Sequence, residues 1–258
     1  MTSYAHHTVA IADRIATVTM NRPPVNAQNR AVREELIAIF DGLSDDEDVR
    51  VVILTGAGKT FSAGADIKER VGMAATRGDY LRHNRLAREY FYAVADCEKP
   101  VIAAVNGPAI GAGFALMLAS DIMLASETAW FQMPEVNVGL AGGAAFILDH
   151  FTKSRASAMY YTARRYPAAD LYRLGVIEAV LPPETLMQEA MTYAREIAAK
   201  SPLAIRTAKR AFGTVSEMPT RDAYRYEQSL TVALSRTEDA AEAQAAFVEK
   251  RAPNFKGR

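Results

Sequence analysis

The sequence is poor in the features that would tie it to an oxidising compartment, a nucleic acid or a membrane. It has one cysteine, Cys97, which excludes an intrachain disulfide and a cysteine-rich metal site and fits a reducing compartment. Thirty basic and thirty acidic residues cancel, so the chain lacks the charge excess that nucleic acids or anionic membrane surfaces attract. No apolar run reaches the roughly 20 residues that span a bilayer, and no signal peptide is visible. We therefore predict a cytoplasmic protein with no nucleic-acid or membrane partner.

Alternating strand and helix patterns indicate an α/β protein. Half of the 258 residues are hydrophobic, which is enough for a large core. Apolar, β-rich runs predict strands that are covered on both sides of a sheet, and runs with one apolar face predict the helices between them. The predicted strands are 15–20, 49–55, 101–105 and 122–125, and the predicted helices are 29–43, 80–96 and a short one from about 113 to 119.

From about residue 183 to the end, the sequence consists almost entirely of strong helix formers. Pro202 and Pro219 each predict a helix start, and Gly213 predicts a helix end. We therefore place a domain boundary near residue 200, which separates a core of residues 1–200 from a helical region of residues 201–258.

Two turns rich in small residues carry the first functional signal. They are 61–68 (FSAGADIK) and 106–114 (NGPAIGAGF), and each follows an apolar strand. Small residues let a ligand approach the backbone closely, and two free N–H groups that converge from two such turns would form a hole for an oxyanion. This pattern favours chemistry on a thioester.

The two turns recur together with Met133-Pro134-Glu135, Gly142-Gly143 and the ending 246–251 (AFVEKR), in an order and at a spacing that resemble the enoyl-CoA hydratase/isomerase (crotonase) superfamily. The resemblance implies a crotonase-like superhelix of repeated ββα units with a C-terminal helical trimerisation region. It also implies an acyl-CoA thioester as substrate and a homotrimer, or a homohexamer of two trimers. We expect no metal and no cofactor besides the coenzyme A of the substrate.

The resemblance assigns the catalytic groups. The backbone N–H groups of Ala65 and Ala112 match the pair that binds the thioester oxygen, and Glu135 matches the base of the family's allylic isomerases and the second glutamate of its hydratases. Ala112 is expected at a helix N-terminus, where the macrodipole favours an enolate. The apolar neighbours of Glu135 are expected to raise the pKa of its carboxyl group, so that it can accept and return a proton.

Ala115 stands where the hydratases of the family carry their other glutamate. Adding water across a double bond usually draws on two carboxylates, whereas moving a double bond needs only one. The sequence therefore favours isomerisation of an enoyl-CoA double bond.

Other functions stay open at this point. Segments 214–219 and 223–226 resemble the carnitinyl-CoA dehydratase branch, which predicts hydration or dehydration with a substitute for the missing carboxylate. Candidate substitutes are Tyr80, His83, Asn84 and Asn137. A non-catalytic acyl-CoA-binding protein is a further alternative, although the presence of Glu135 argues against it.

The resemblance also implies how coenzyme A is bound. By the resemblance, one group of residues contacts adenine and pantetheine, a second group supplies cations near the phosphates, and a third group reaches the nucleotide bound to a neighbouring subunit. Asp66 is also a candidate cap for a helix that begins near Ile67. The first group is Ser62, Ala63, Asp66 and Ile67. The second is Arg22 and Lys68, and the third is Phe247 and Lys250.

Overall fold

The strands and helices follow the alternation that the sequence predicts. The computed structural model describes residues 4–71 and 77–258, apart from the side chain of Arg70. The strands are β1 (His7–Ala12), β2 (Ile15–Met20), β3 (Val51–Gly56), β4 (Val101–Val105), β5 (Ala109–Ile110), β6 (Ile122–Ser126), β7 (Trp130–Gln132), β8 (Tyr166–Pro167) and β9 (Ala179–Leu181). The helices are α1 (Arg30–Asp45), α2 (Ile67–Arg70), α3 (Arg77–Ala95), α4 (Ala112–Leu118), α5 (Ala144–His150), α6 (Lys153–Thr162), α7 (Ala168–Arg173), α8 (Leu186–Ala198), α9 (Pro202–Val215), α10 (Thr220–Leu234) and α11 (Glu238–Glu249), and a 3₁₀ helix covers Glu135–Val138.

One sheet carries the core, with its strands in the order β1-β2-β3-β4-β6-β9. The β1–β2 pair is antiparallel and the other neighbouring pairs are parallel. Strands β3 and β4 are buried along their whole length, as expected for strands that helices cover on both faces. Helix α8 packs on one face through Leu186, Ala190 and Ala194, while α1, α3 and α4 pack on the other.

The two small-residue turns follow β3 and β4, which are neighbours and parallel. Their carboxyl ends therefore meet at the same edge of the sheet, where ligands of open α/β sheets bind. A second sheet, in the order β5-β7-β8, continues from the turn after β4. Because β7 pairs with β5, the segment that follows β7 and contains Glu135 is brought to the same place.

The C-terminal helices confirm both predicted helix starts, since α10 begins directly after Pro219, and they correct one predicted end. Helix α9 begins at Pro202, and the Ser201 side chain caps it by accepting a hydrogen bond from the Ala204 N–H at 3.3 Å. Gly213 was wrongly predicted to end this helix, which continues to Val215. Nothing lies within 4 Å of a Cβ built on Gly213, so this glycine occupies open space within the helix. The boundary near residue 200 stays a prediction.

Strand β1 is one of several elements that the sequence patterns did not reveal, together with β5, β7, β8 and β9 and the helices α5, α6 and α7. It is an edge strand in which only His7 is buried, so it lacks the apolar alternation of a half-covered strand. Its backbone pairs with β2 from His7 opposite Met20 to Ala12 opposite Ile15. Within residues 4–71 and 77–258, no helix is both long and apolar enough to cross a membrane.

Candidate active site

The two small-residue turns are hydrogen-bonded to each other. The Ser62 N–H donates to the Pro108 carbonyl at 3.2 Å, and the Ile110 N–H donates to the Ser62 carbonyl at 3.0 Å. The contact is so close that a Cβ built on Gly113 would lie 2.3 Å from the Ser62 oxygen. The small residues therefore serve first to join the two turns into one rigid unit.

Gly64 fixes the relative position of the two candidate oxyanion donors. Its φ is +80°, a left-handed conformation that favours glycine. A Cβ at this position would lie 2.4 Å from the Ile110 carbonyl oxygen and 3.1 Å from the Ala112 nitrogen. Only a residue without a side chain lets the turn that carries Ala65 lie directly against the turn that carries Ala112.

A short ladder orients the Ala65 amide. The Gln28 N–H donates to the Gly64 carbonyl at 2.8 Å, and the Asp66 N–H donates to the Gln28 carbonyl at 3.1 Å. Ala65 lies between these two bonds, so its own N–H points away from Gln28. Among the hydrogen bonds of the described residues, neither the Ala65 N–H nor the Ala112 N–H donates to a protein acceptor. Both residues line the same cavity, so both donors are available to a ligand.

Glu135 lies beside this pair of amides. It is the first residue of the 3₁₀ helix, is half-buried and lines the cavity. A Cβ built on Gly111, the residue before Ala112, would lie 2.5 Å from Glu135 Oε1. The absence of a side chain at Gly111, whose φ is +53°, thus makes room for the carboxylate. The arrangement joins two N–H donors for an oxyanion with one carboxylate that can move a proton.

Tyr160 supports the loop that follows Glu135. Its hydroxyl donates to the Gly142 carbonyl at 2.8 Å. Burial raises the pKa of Tyr160, and the negative charge of Glu135 raises it further. The phenol therefore stays protonated as a hydrogen-bond donor near the carboxylate. Gly143, which follows Gly142, is the N-cap of α5 with a φ of +83°, and a Cβ there would lie 2.9 Å from Met133 Cε.

The cavity has a volume of about 750 Å³. Ala115 lines it with only 1% of its surface exposed, so a methyl group occupies the position at which the resemblance expects the hydratases' other glutamate. The side chains considered as substitutes, Tyr80, His83, Asn84 and Asn137, all line the cavity as well. The resemblance assigns the segment between residues 69 and 90 to the acyl pocket, and its residues 72–76 lie outside the described part of the chain.

Sequence reasoning missed five polar residues of the cavity wall: Arg33, Arg88, Tyr92, Asp149 and His150. Asp149 is exposed and lies near the end of α5. Arg33 is 1% exposed on the covered face of α1. The signal for Arg33 was present, because it precedes Leu36 by three positions and Phe40 by seven and so falls on the apolar face of the helix. Among the described residues, no group of three or more His, Cys, Asp or Glu side chains is placed to hold a metal ion.

Some of the residues predicted to bind coenzyme A line the cavity, and others are buried within the turn. Ala63 and Ile67 line the cavity. Ser62 is fully buried, and its hydroxyl bonds the Asn26 carbonyl at 2.7 Å and the Gln28 amide at 3.0 Å. Its side chain therefore holds the turn, and a contact with coenzyme A stays a prediction.

Asp66 and Arg22 form an ion pair at 2.8 Å. Asp66 also caps α2 by accepting from the Lys68 N–H at 3.1 Å, as predicted. Burial alone would raise the pKa of Asp66, but the hydrogen bonds from Arg22 and the Lys68 backbone bring it below its usual value. The Lys68 side chain is exposed next to this cap.

Phe247 and Lys250 lie at the end of α11 and are not part of the cavity wall of their own chain. Phe247 is 86% exposed. The phosphate contacts of Arg22 and Lys68 and the contacts from a neighbouring subunit stay predictions.

A family model, similar proteins and similar solved structures all match nearly the whole chain. The family model described as enoyl-CoA hydratase/isomerase matches residues 10–258. A protein named probable enoyl-CoA hydratase from Rhizobium meliloti is 37% identical over 260 residues, which cover 99% of this chain and 100% of the relative. A carnitinyl-CoA dehydratase from Escherichia coli is 36% identical over 252 residues, or 95% of each chain. The crystal structure of an enoyl-CoA hydratase from Bacillus anthracis matches with a TM-score of 0.93 and 33% identity, over 98% of this chain and 100% of that one.

Proposed function

Because the chain belongs to the enoyl-CoA hydratase/isomerase family, with the crotonase-like α/β fold that the resemblance implied, we propose that it isomerises the double bond of an enoyl-CoA thioester. The coarser conclusion is direct: it is an acyl-CoA enzyme of this family. The choice of isomerisation rests on one observation. Glu135 Oε1 lies against the Gly111–Ala112 turn, whereas the position of the other hydratase carboxylate holds the methyl group of Ala115.

In the proposed reaction, the thioester oxygen accepts hydrogen bonds from the N–H groups of Ala65 and Ala112. The Glu135 carboxylate removes a proton from the carbon next to the carbonyl of a 3-enoyl thioester. The electron pair of that C–H bond delocalises onto the oxygen as a dienolate, which the two donors stabilise by about 3 kcal/mol each if they act like other oxyanion-hole donors. The protonated Glu135 then returns the proton to the far end of the dienolate, and a conjugated 2-enoyl thioester results. No cofactor besides the coenzyme A of the substrate takes part.

Hydration or dehydration is the second candidate, because the relatives named above are a hydratase and a dehydratase. For this chain it requires another polar group to hold the water. Tyr80, His83, Asn84 and Asn137 line the cavity and supply hydroxyl, imidazole and amide groups that can do so.

The test offers the purified protein a 3-enoyl-CoA and a 2-enoyl-CoA separately and follows the ultraviolet absorbance of the conjugated thioester. Isomerisation raises the absorbance with the first substrate, and hydration lowers it with the second. Glu135→Gln keeps the shape of the side chain but removes the base, so we expect kcat to fall by about 10²-fold to 10⁴-fold. Asp149→Asn, which neutralises another carboxylate of the cavity wall, is the matched control and should leave kcat within a few-fold.

Three results separate the alternatives. If the absorbance falls with the 2-enoyl substrate in a Glu135-dependent way and does not rise with the 3-enoyl substrate, the enzyme is a hydratase and not an isomerase. Turnover that survives Glu135→Gln unchanged refutes the catalytic assignment. Binding of acyl-CoA without any turnover indicates a non-catalytic acyl-CoA-binding protein.

We also propose that the chain works in the cytoplasm as a homotrimer or a homohexamer of two trimers. Support for assembly comes from large hydrophobic side chains that the single chain leaves exposed on its C-terminal helices. They are Phe212 on α9, Tyr224 and Val232 on α10, and Phe247 and Val248 on α11. In the assembly, Phe247 and Lys250 would reach the nucleotide of the neighbouring subunit's substrate.

A further inference from the structure

Helix α11 is attached to the rest of its chain mainly by polar contacts. Its buried residues are Asp239 and Ala246. Within residues 4–71 and 77–258, no other helix or strand packs extensively on it. Phe247 and Val248, near its end, are 86% and 79% exposed. Burial of an apolar face, which holds most surface helices in place, therefore contributes little to the position of α11.

The Asp239 carboxylate holds a segment that folds back along α11, residues 252–258, which we call the tail. It accepts from the Lys256 N–H at 2.7 Å and from the Gly257 N–H at 3.2 Å. It also accepts from the Ser201 hydroxyl at 2.7 Å, directly before α9. Because Asp239 is only 2% exposed, these three donors take the place of water around its charge.

Arg50 holds the tail from the other side. It directly precedes β3, and its own N–H donates to the Arg14 carbonyl at 2.8 Å, so its backbone is tied to the segment before β2. Its guanidinium donates to the Phe255 carbonyl of the tail at 2.9 Å and to the Ala198 carbonyl at the end of α8 at 2.8 Å. The planar fork of an arginine can bridge two carbonyl groups in this way. The tail is thus tied to the core by Arg50 and to α11 by Asp239, and we call these two residues the clamp.

Further hydrogen bonds join the tail to the other end of α11. Lys250 ends the helix with a φ of +54°, and the chain reverses there. Arg251 then pairs with Glu242 of α11 at 2.6 Å, and the Asn254 N–H donates to the same carboxylate at 2.7 Å. Helix and tail therefore form one hydrogen-bonded unit, with the clamp at one end and Lys250 at the other.

We propose that Arg50 and Asp239 are positioning residues for coenzyme A: they set the orientation of α11, so that Phe247 and Lys250 reach the nucleotide bound to the neighbouring subunit. The inference rests on the proposed assembly and its shared nucleotide site.

The length of α11 makes the clamp effective. Lys250 lies eleven residues beyond Asp239, which is about 16 Å along the helix axis, so a tilt of about 10° at the clamp moves Lys250 by about 3 Å. A donor displaced by that distance no longer forms its hydrogen bond. Among the described residues that line the cavity, neither member of the clamp is present. A loosened clamp should therefore weaken binding of the substrate and leave the chemical step unchanged.

Asp239→Asn tests this separation. It replaces one acceptor oxygen by an amide group that can only donate, so the side chain cannot serve all three donors. We expect the KM for an acyl-CoA substrate to rise by about tenfold, which corresponds to the loss of about one charge-assisted hydrogen bond, while kcat stays within a few-fold. Arg50→Lys keeps the charge but not the fork, so it should raise the KM less. It carries the test alone if Asp239→Asn does not fold.

Glu238→Gln is the matched control. Glu238 also contacts the tail, through an ion pair with Arg258 at 3.1 Å, but both side chains are more than half exposed. An exposed pair contributes little, so the KM should stay within about twofold of the wild-type value.

Hybrid oligomers test whether the clamp acts across the subunit boundary. Chains with Asp239→Asn or Arg50→Lys are co-expressed with an excess of Glu135→Gln chains, and oligomers that contain both are isolated through two affinity tags. Turnover then comes from the chains that keep Glu135, most of which receive an intact α11 from a neighbour. We expect their KM to return to within about twofold of the wild-type value. A merely destabilised chain would not be corrected in this way.

The outcomes separate this proposal from the proposed reaction. A wild-type KM in both clamp variants overturns it, and so does a raised KM that persists in the hybrids, because the clamp would then act within its own chain. A monomeric wild-type protein overturns it as well. All three results leave the acyl-CoA reaction intact. If the wild-type protein neither binds nor converts an acyl-CoA, the proposed function fails and the positioning role fails with it.

Discussion

Gly64 is the residue on which the geometry of the two oxyanion donors depends most directly. A side chain there would collide with the Ile110 carbonyl oxygen at 2.4 Å and crowd the Ala112 nitrogen at 3.1 Å. Gly64→Ala should therefore push apart the turns that carry Ala65 and Ala112. We expect kcat to fall by about 10²-fold, since a displacement of 1 Å at a reacting group can cost that much.

Gly58→Ala separates this contact from ordinary backbone strain. Gly58 has a similar φ of +73°, but nothing lies within 4 Å of a Cβ built on it. The control should lose about 1 to 2 kcal/mol of folding free energy through its left-handed conformation and keep its kcat. The measurement is kcat together with urea unfolding for both variants. Equal losses of kcat would show that strain, rather than the contact with the second turn, governs the site.

At the scale of elements, the contact between β1 and α1 is the one that should respond to pH. Glu35 on α1 accepts from His7 Nδ1 at 3.0 Å and from the backbone N–H groups of Ala5 and His6. Burial lowers the pKa of His7 below 6.5, although Glu35 acts in the opposite direction. Burial raises the pKa of Glu35, but its three hydrogen bonds together bring it below 4.5. The pair is thus a neutral imidazole and an ionised carboxylate.

The sign of the pH effect follows from these directions. The unfolded chain binds a proton at His7 more readily than the folded one, so stability is lost as the pH falls from about 6.5 toward the folded-state pKa. Glu35 adds a loss below about 4.5 for the corresponding reason. We expect the melting temperature to drop between pH 7 and pH 5 in the wild-type protein and to change less in His7→Gln. His6→Gln is the control that should keep the wild-type slope, and an unchanged slope in His7→Gln would contradict the assignment.

How far the sequence predicts the elements depends on where each one is buried. Strands β2, β3 and β4 were found because strands covered on both faces need apolar, β-branched residues at successive positions. Edge strand β1 was missed because one buried histidine carries no periodic signal. In the site, the two turns were found because their close contact demands small residues in local sequence. Arg33 could be placed on the apolar face of α1 from its spacing, but nothing in the local sequence shows the cavity between α1 and α3 that it lines.

At the scale of the whole molecule, the C-terminal helices differ from the core in what they bury. Helix α10 has no buried residue, and α9 has only Ala211. Phe212 and Phe247 are 72% and 86% exposed. Exposed aromatic residues in this density are typical of a surface that another subunit covers. This exposure supports the proposed assembly through the C-terminal helices.

We expect sedimentation to give three or six times the chain mass of 28.1 kDa. Phe212→Asp with Phe247→Asp should shift the protein toward the monomer, because two charges would have to be desolvated in the contact. The KM for the CoA thioester should rise at the same time if Phe247 and Lys250 complete a neighbour's nucleotide site. Tyr161→Asp on α6, where the aromatic ring is 76% exposed but lies outside the C-terminal helices, is the control. A wild-type protein that sediments as a monomer at full activity would refute both the assembly and the shared site.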